Sequence, residues 1–552
     1  MRIAIAQLNY HIGNFEGNLQ KMLASVESAR QQQADLICFG ELAVCGYPPR
    51  DFLEFDDFIR KSYASIDALR AVSHGIGIVV GSPTRNPVAA GKDLYNTAYF
   101  LYDGAILGTQ HKALLPTYDI FDEYRYFEPA TEFHTIEFKG KRIALSVCED
   151  IWNVGNENPL YTVCPLDEMM HEKPELILNI SASPFDYAHA ADRIRVVRAN
   201  VQRYGIPLFY ANQNGAQTDI IFDGGSLVMS PDGMVFDEMP YFEECLRVYE
   251  LDAVLHGGRS QEQPKEKTAL IHDALITGIH DYFAKLGFKK AILGLSGGID
   301  SAVTAVLAAK ALGASNVRVL LMPSQFSSDH SVNDARQLAQ NLGIQYDLIP
   351  IQPIYEAFEG ALKNQFWGQS FNVTEENIQA RVRGTLLMAM SNKYGHILLN
   401  TTNKSEMAVG YGTLYGDMCG GISVLGDLYK TEVYELARYL NETTPSIVGS
   451  GGAIPLSSIE KPPSAELRPD QKDSDSLPPY DILDKLLFQY IERRQGPREL
   501  VAMGFEEALV KRVLRMVNIN EFKREQAAPV LRVSSKSFGM GRRMPIVGKY
   551  LS

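Results

Sequence analysis

A chain of 552 residues, 45% hydrophobic and 22% charged, exceeds what one hydrophobic core holds and has neither a disordered nor a membrane-embedded composition. Its formal charge of −13 argues against non-specific nucleic-acid binding, while leaving room for a local basic pocket that takes a small anion. The longest apolar runs, such as GIGIVVG and AILGL, are strand-sized, which excludes a bilayer span on this pattern.

The opening MRIAIAQLNY has no basic stretch, long apolar core or cleavage site of a secretory signal, so the expected location is the cytoplasm. Six cysteines, at 38, 45, 148, 164, 245 and 419, form no CxxC pair and no metal spacing, and are expected as free thiols.

Residues 1 to about 255 alternate β-rich runs (RIAIAQL, ADLICFGEL, GIGIVVGS, YNTAYFLYDGAILG, RIALSVC, ELILNISAS, PLFYANQ, SLVMSPDGMVFDE) with amphipathic stretches at 15–31, 51–72 and 190–204 that read as helices. Asp103-Gly104 and Asp232-Gly233 are hairpin signals. The mixture predicts a layered α/β sandwich with antiparallel hairpins in its sheets. At LHGGRSQEQPKEKTALI a glycine pair and a polar, proline-bearing run precede a new helix at about 266–286, which places a domain boundary between 257 and 258.

From there the order is helix, strand KAILGLS, helix 299–313, strand NVRVLLMPS, helix 331–342, strand QYDLIPI, helices 353–363 and 374–393, and strand HILLNTT. That alternation predicts a doubly wound parallel sheet over residues 258–552. Residues 449–480 are too rich in Gly, Pro, Ser and charge for a regular element and read as a loop or lid. No internal repeat links the two halves.

AILGLSGGIDSA is an apolar strand running through Gly294, Leu295, Ser296, Gly297, Gly298, Ile299, Asp300 and Ser301 into a helix. Two glycines let backbone N–H groups curl round an anion, the helix dipole favours it, and the serines add hydroxyl donors. A lysine that would hold a transferred γ-phosphate is missing, and Asp300 stands in its neighbourhood. The loop is therefore expected to grip a departing pyrophosphate, with Asp300 on Mg²⁺.

These residues resemble the ATP pyrophosphatase family, which adenylates a carboxylate or carbonyl oxygen. TEENIQARVRG (374–384) and LNTTNKSEMAVGYGTLYGDMCGGISVLGDLYKTEV (399–433) resemble the signature blocks of the NAD synthetases. The resemblance implies deamido-NAD contacts at Asn377, Glu406 and Lys523, ATP contacts at Thr401, Lys430 and Ser464, and Mg²⁺ at Asp300 and Glu406. KPPSAELRPDQKDSDSLP is similar to the family's mobile segment.

Cys148, in LSVCEDIW, reads by composition alone as a small buried filler. Its context is different: FGELAVCGYPPRD and QHKALLPTYDIFDEYRYFEP each bring a charged residue to the end of an apolar run. A thiol attacking an amide needs a base and a cation for the oxyanion, which Glu41 and Lys112 supply.

The three blocks resemble the nitrilase superfamily, whose Glu-Lys-Cys triad and four-layer αββα fold are implied for Glu41, Lys112 and Cys148, with an additional glutamate at Glu123. Tyr118, Ser183 and His189 match glutamine-holding positions. His189 departs from the Arg or Lys that would suit the α-carboxylate. Glu149 is expected beside the glutamine and Trp152 as a pocket wall.

Together the two resemblances imply ammonia released from L-glutamine and used on ATP-activated deamido-NAD, with NAD, AMP, pyrophosphate and glutamate as products, an enclosed path for NH₃, and a homo-oligomer. An amidotransferase with another acceptor, and a non-catalytic sensor, are the alternatives. The ENIQAR and TTNKSE blocks speak against the first, and the intact set Glu41, Lys112, Cys148, Asp300 and Glu406 against the second.

Overall fold

The computed structural model describes residues 1–88, 90–158, 160–258, 266–469 and 471–551. Its contacts divide the chain into two compact units, Met1–Lys265 and Glu266–Ser552. The boundary read at 257/258 leads directly into residues 259–265, which lie outside the described residues.

The first unit contains two six-stranded sheets. One runs in spatial order Cys245–Glu250, Arg2–Gln7, Leu36–Cys38, Gly77–Arg85, Leu94–Tyr102, Ala105–His111. The other runs Val235–Glu238, Leu227–Met229, Leu208–Ala211, Leu176–Ile180, Lys141–Val147, Ile136–Phe138.

Alternation along the strands sorts side chains into layers. Ile3, Ile5, Leu36, Val79 and Phe100 of the first sheet pack with Leu145, Val147, Leu178, Ile180 and Phe209 of the second in one inner cluster. Ala4, Ala6, Ile37, Ile78 and Val80 turn the other way, onto Met22, Val26 and Ala29 of helix Phe15–Gln31 and Ile59, Ile66 and Leu69 of helix Asp56–Ala71. The outer face of the second sheet receives Val196, Val197 and Val201 of helix His189–Tyr204. The result is the four-layer αββα order, and it explains why residues 3–6, IAIA, run apolar without alternating: both faces of the strand are covered.

Local expectations meet this fold with two adjustments. Asp103 and Gly104 both take positive φ, 47° and 77°, and close the tight hairpin between Leu94–Tyr102 and Ala105–His111. Gly233 also has positive φ, but its strands are joined by the longer stretch 230–234. The helix expected at 51–72 breaks at Phe55, whose extended ψ of 121° separates a 3-10 turn, Arg50–Glu54, from helix Asp56–Ala71.

The second unit is built on a five-stranded parallel sheet in the order Gln345–Leu348, Val317–Leu321, Ala291–Gly294, Ile397–Asn400, Ile422–Ser423. The order reverses at Ala291–Gly294, so its carboxyl end opens at the point where doubly wound sheets form their binding crevice.

Residues 449–480, expected to hold no regular element, contain a one-turn helix, Leu456–Glu460, and a 3-10 turn, Asp473–Asp475. The reason is tertiary. Asn341 donates to Ala453 O (2.8 Å), Asn441 brackets Ile454 with hydrogen bonds of 2.8 and 2.9 Å, and Ala453 and Ile454 are buried. Among the described residues no helix is long and apolar enough to cross a membrane.

Candidate functional site

Cys148 is the first residue after strand Lys141–Val147 and opens a 3-10 turn, Cys148–Ile151, with φ of 46°. A non-glycine residue held in the left-handed region is strained, and here the surroundings over-determine it. The Asp150 carboxylate accepts the N–H of Val147 (3.2 Å) as well as those of Ala113 (3.0 Å) and Leu114 (2.8 Å). One acid thus ties the turn at Cys148 to the segment that begins with Lys112. Asn179 adds a contact to Cys148 O at 3.4 Å.

Lys112 is fully buried, and its Nζ lies 2.7 Å from Glu41 Oε1 and 2.8 Å from Glu123 Oε1. Glu41 is fixed further by Asn96 Nδ2 on Oε1 (2.7 Å) and by the N–H of Ala182 on Oε2 (3.0 Å). The Glu41 turn sits so close to strand Gly77–Arg85 that a Cβ at Gly81 would fall 2.2 Å from the nitrogen of Leu42. Glycine is the residue that admits this approach. Tyr47 donates to Glu123 Oε1 at 2.7 Å, while Glu123 Oε2 is buried without a hydrogen-bond partner among the described residues.

The electrostatics follow from this crowding. Burial pushes the Cys148 thiol well above its usual range; Glu41 raises it further and Lys112 pulls it down. Burial opposes the charge on Lys112, yet Glu123 and Glu41 outweigh it and hold the ammonium strongly protonated. Burial raises Glu123 to about 7 against the pull of Lys112. Before substrate binds, this environment therefore favours a neutral thiol beside a charged ammonium.

The glutamine-holding candidates also converge. Tyr118 OH donates to Glu149 Oε1 at 2.9 Å, Ser183 Oγ lies 2.7 Å from His189 Nε2, and the His189 ring stacks on Trp152 at 5.2 Å and 14°.

In the second unit, Ser296 to Ser301 form a closed turn. Gly298 N donates to Ser296 Oγ (3.1 Å), Ser301 Oγ donates to Gly298 O (3.1 Å), and the two serine hydroxyls lie 3.2 Å apart. Gly298 starts helix Ile299–Leu312 without a side-chain cap, so the first N–H groups stay available to an anion. Gly297 has φ of 83°, and a Cβ there would meet Ser331 O at 2.2 Å.

Gly294, Leu295, Ser296, Gly298, Ile299, Asp300 and Ser301 line a cavity of about 310 Å³ together with Thr401, Glu406, Lys430 and Ser464. Lys430 Nζ bridges Asp300 Oδ2 (2.5 Å) and Glu406 Oε1 (3.4 Å), and Asn403 Nδ2 donates to Asp300 Oδ1 at 2.9 Å. Burial pushes Glu406 up to about 8, Lys430 opposing and Asp300 adding to the shift.

Asn377 and Lys523 do not line this cavity. Asn377 accepts from Thr413 Oγ1 (2.8 Å), and Lys523 donates to Gly410 O and Gly412 O (2.8 Å each), so both brace the 410–413 turn.

The 449–480 segment reaches the cavity wall through Ser458, Lys461, Ser464, Glu466 and Asp473, and Ser458 Oγ donates to Gly297 O at 3.0 Å. Sequence reasoning missed Asn96, Tyr47, Asp150 and Tyr161 in the first unit, and Arg383, Asn403 and Asp473 in the second. Arg383 was within reach of it: it belongs to the ENIQARVRG block, two helical turns past Glu376, on the side of helix Val373–Tyr394 that carries Ala380 and Gly384 to the cavity.

Comparison with known proteins agrees with both halves. A carbon-nitrogen hydrolase family model matches residues 2–257, and an NAD synthase family model matches residues 271–527. The glutamine-dependent NAD(+) synthetase of Synechocystis sp. is 43% identical, over 99% of this chain and 98% of that protein. That of Acinetobacter baylyi is 41% identical, over 99% and 98%. Among solved structures, the glutamine-dependent NAD+ synthetase of Acinetobacter baumannii in complex with ADP superposes with a TM-score of 0.78 at 36% identity, covering 100% of this chain and 99% of that one.

Proposed function

The chain belongs to the glutamine-dependent NAD(+) synthetase family of ligases, and from that premise we propose how its own residues divide the work. Residues 1–257 release ammonia from L-glutamine. Residues 258–552 use ATP to activate the nicotinic carboxylate of deamido-NAD, on which that ammonia forms the carboxamide of NAD. The observation that carries the first half is the buried triangle of Glu41, Lys112 and Glu123 at the strand end that presents Cys148.

Glu41 takes the thiol proton as Cys148 Sγ attacks the amide carbon. The Lys112 ammonium offsets the charge that develops on the carbonyl oxygen. As the C–N bond breaks, the same proton passes to the leaving nitrogen, giving NH₃ and a thioester. Water deprotonated by Glu41 then cleaves the thioester to glutamate and restores the thiol. Glu123, held by Lys112 and Tyr47, keeps the ammonium in place between the two acids. Tyr118, Glu149, Trp152, Ser183 and His189 form the glutamine pocket. His189, paired with Ser183 and stacked on Trp152, faces the α-carboxylate as a hydrogen-bond donor rather than as a fixed cation.

In the second unit, a carboxylate oxygen of deamido-NAD attacks the α-phosphorus of ATP, and pyrophosphate departs into the loop Ser296–Ser301. Thr401, Lys430 and Ser464 bind the nucleotide, and Asn377, Glu406 and Lys523 the dinucleotide. Ammonia then attacks the acyl adenylate and AMP leaves.

Asp300 and Glu406 suit Mg²⁺: they bring two carboxyl groups to one wall of the phosphate-loop cavity, and Mg²⁺ commonly takes one or two carboxylates with substrate phosphates. When bound there, the ion would neutralise phosphate charge.

Because NH₃ is mostly protonated near neutral pH, its use as a nucleophile requires a path screened from bulk water. A cytoplasmic homo-oligomer is the assembly we assign.

The reading is tested by incubating the protein with deamido-NAD, ATP, Mg²⁺ and glutamine. NAD, AMP, pyrophosphate and glutamate should form in equal amounts. Formation of glutamate without NAD would refute the acceptor, and ADP with phosphate in place of AMP would refute the adenylate.

A further inference from the structure

Glu149 follows Cys148 directly and is 6% exposed. One of its oxygens, Oε1, accepts two phenol hydrogens, from Tyr118 at 2.9 Å and from Tyr161 at 2.7 Å. Among the described residues no hydrogen bond reaches Oε2.

The two phenols arrive from separate segments. Tyr118 follows the Lys112 segment, with its ring edge-on to Phe121 at 5.4 Å. Tyr161 lies in the irregular stretch between the turn Val154–Asn156 and helix Pro165–Met169. Buried Asn153 folds that stretch back, donating to Val163 O (2.6 Å) and Asn156 Oδ1 (2.9 Å) and accepting from the N–H of Asn158 (3.0 Å). Tyr161 and Val163 then pack against Ala113, Leu114 and Ala130, the segment that Asp150 ties to Cys148.

A carboxylate buried beside a nucleophile is costly unless donors stabilise it. Burial works to neutralise Glu149, and the hydrogen bonds of Tyr161 and Tyr118, with Lys112 nearby, oppose it. Two donors on one oxygen also fix the rotamer, so the other oxygen is held in one direction with its acceptor capacity unspent.

We propose that Tyr161, acting with Tyr118, is a specificity-determining positioning residue: it clamps Glu149 Oε1 so that Oε2 receives the α-ammonium of the amide substrate. The inference rests on the glutamine reading and deepens it. A site whose buried carboxylate keeps one oxygen for the substrate rejects analogues that lack the matching group far more strongly than a merely apolar pocket does. The clamp has a second consequence. The charge on Glu149 raises the Cys148 thiol. An α-ammonium on Oε2 offsets that charge, so the contact that selects the substrate also favours ionisation of the nucleophile.

The test compares glutamine with glutaramate, which is glutamine without its α-amino group, following ammonia release by wild type, Tyr161→Phe and Tyr118→Phe. Loss of one hydrogen bond to a charged group should lower kcat/KM for glutamine about 10-fold in each variant, mainly through KM. In Tyr161→Phe the value for glutaramate should stay within about twofold, since no charge contact is made with it. An equal fall for both substrates would overturn the clamp, because it would mean that Tyr161 supports the nucleophile or the fold. An unchanged glutamine value would overturn it as well. A wild type that releases ammonia from neither amide would instead overturn the glutamine reading itself.

Discussion

Cys148→Ala should abolish glutamine-supported NAD synthesis, by at least ~10³-fold, and leave ammonium-supported synthesis within about twofold of wild type. The first figure follows from chemistry: without Sγ no thioester forms, and Glu41 and Lys112 have no bound nucleophile to activate. The second follows from the fold. Cys148 belongs to the first unit, whereas every residue assigned to adenylation lies in the second, on a sheet with its own core. Folding should survive the change, since Ala is smaller than Cys and the turn is held by Asp150 and Asn179 rather than by the thiol. Separate assays with glutamine and with ammonium chloride check both figures. Persistence of glutamine-supported synthesis would remove Cys148 as nucleophile, and parallel loss of both activities would mean that the substitution acts through the structure.

Asp300→Ala should give the opposite pattern, losing about 10²- to 10³-fold of synthesis with either nitrogen source. Asp300 accepts from Asn403 and pairs with Lys430, which also reaches Glu406. Without Asp300 one of the two carboxyl groups that suit a divalent cation is gone. Lys430 would then be drawn to Glu406 rather than left to share itself with phosphate oxygens. Glutamate release measured without NAD formation should persist. Wild-type-like synthesis with ammonium would show that Asp300 is dispensable to adenylation, and loss of glutamate release as well would point to a global defect.

What the sequence could convey differed between the two sites. The phosphate loop was readable from its own residues, because strand, two glycines and uncapped helix start are consecutive in the chain, and local physics gives Gly297 and Gly298 one purpose. The hairpin at Asp103-Gly104 was readable for the same reason. The Glu41, Lys112 and Glu123 triangle was different: the three residues lie on segments up to 82 positions apart, and only resemblance to a known family brought them together before the fold did.

Residues whose role is to hold other residues were invisible to both routes. Asp150 is legible as an acid after Cys148, but its bonds to Ala113 and Leu114 depend on how two strand ends meet. Tyr161 sits in a stretch without periodicity, and its reach to Glu149 depends on the Asn153 contacts. The 449–480 segment was misread as wholly irregular because its helical turn is imposed by Asn341 and Asn441 from outside. Asn377 and Lys523, assigned by resemblance to the dinucleotide, hold the 410–413 turn and lie off the wall of the 310 Å³ cavity.

The central claim is that nitrogen leaves glutamine at Cys148 and enters NAD without mixing with the solvent pool. Supplying amide-¹⁵N glutamine together with unlabelled ammonium, above the amount of ammonia released but below the level that supports synthesis by itself, and reading the isotope in the carboxamide of NAD by mass spectrometry, tests it most directly. The account predicts that most of the NAD carries ¹⁵N, with one glutamate formed per labelled NAD. NAD carrying the isotope ratio of the bulk ammonium would contradict it.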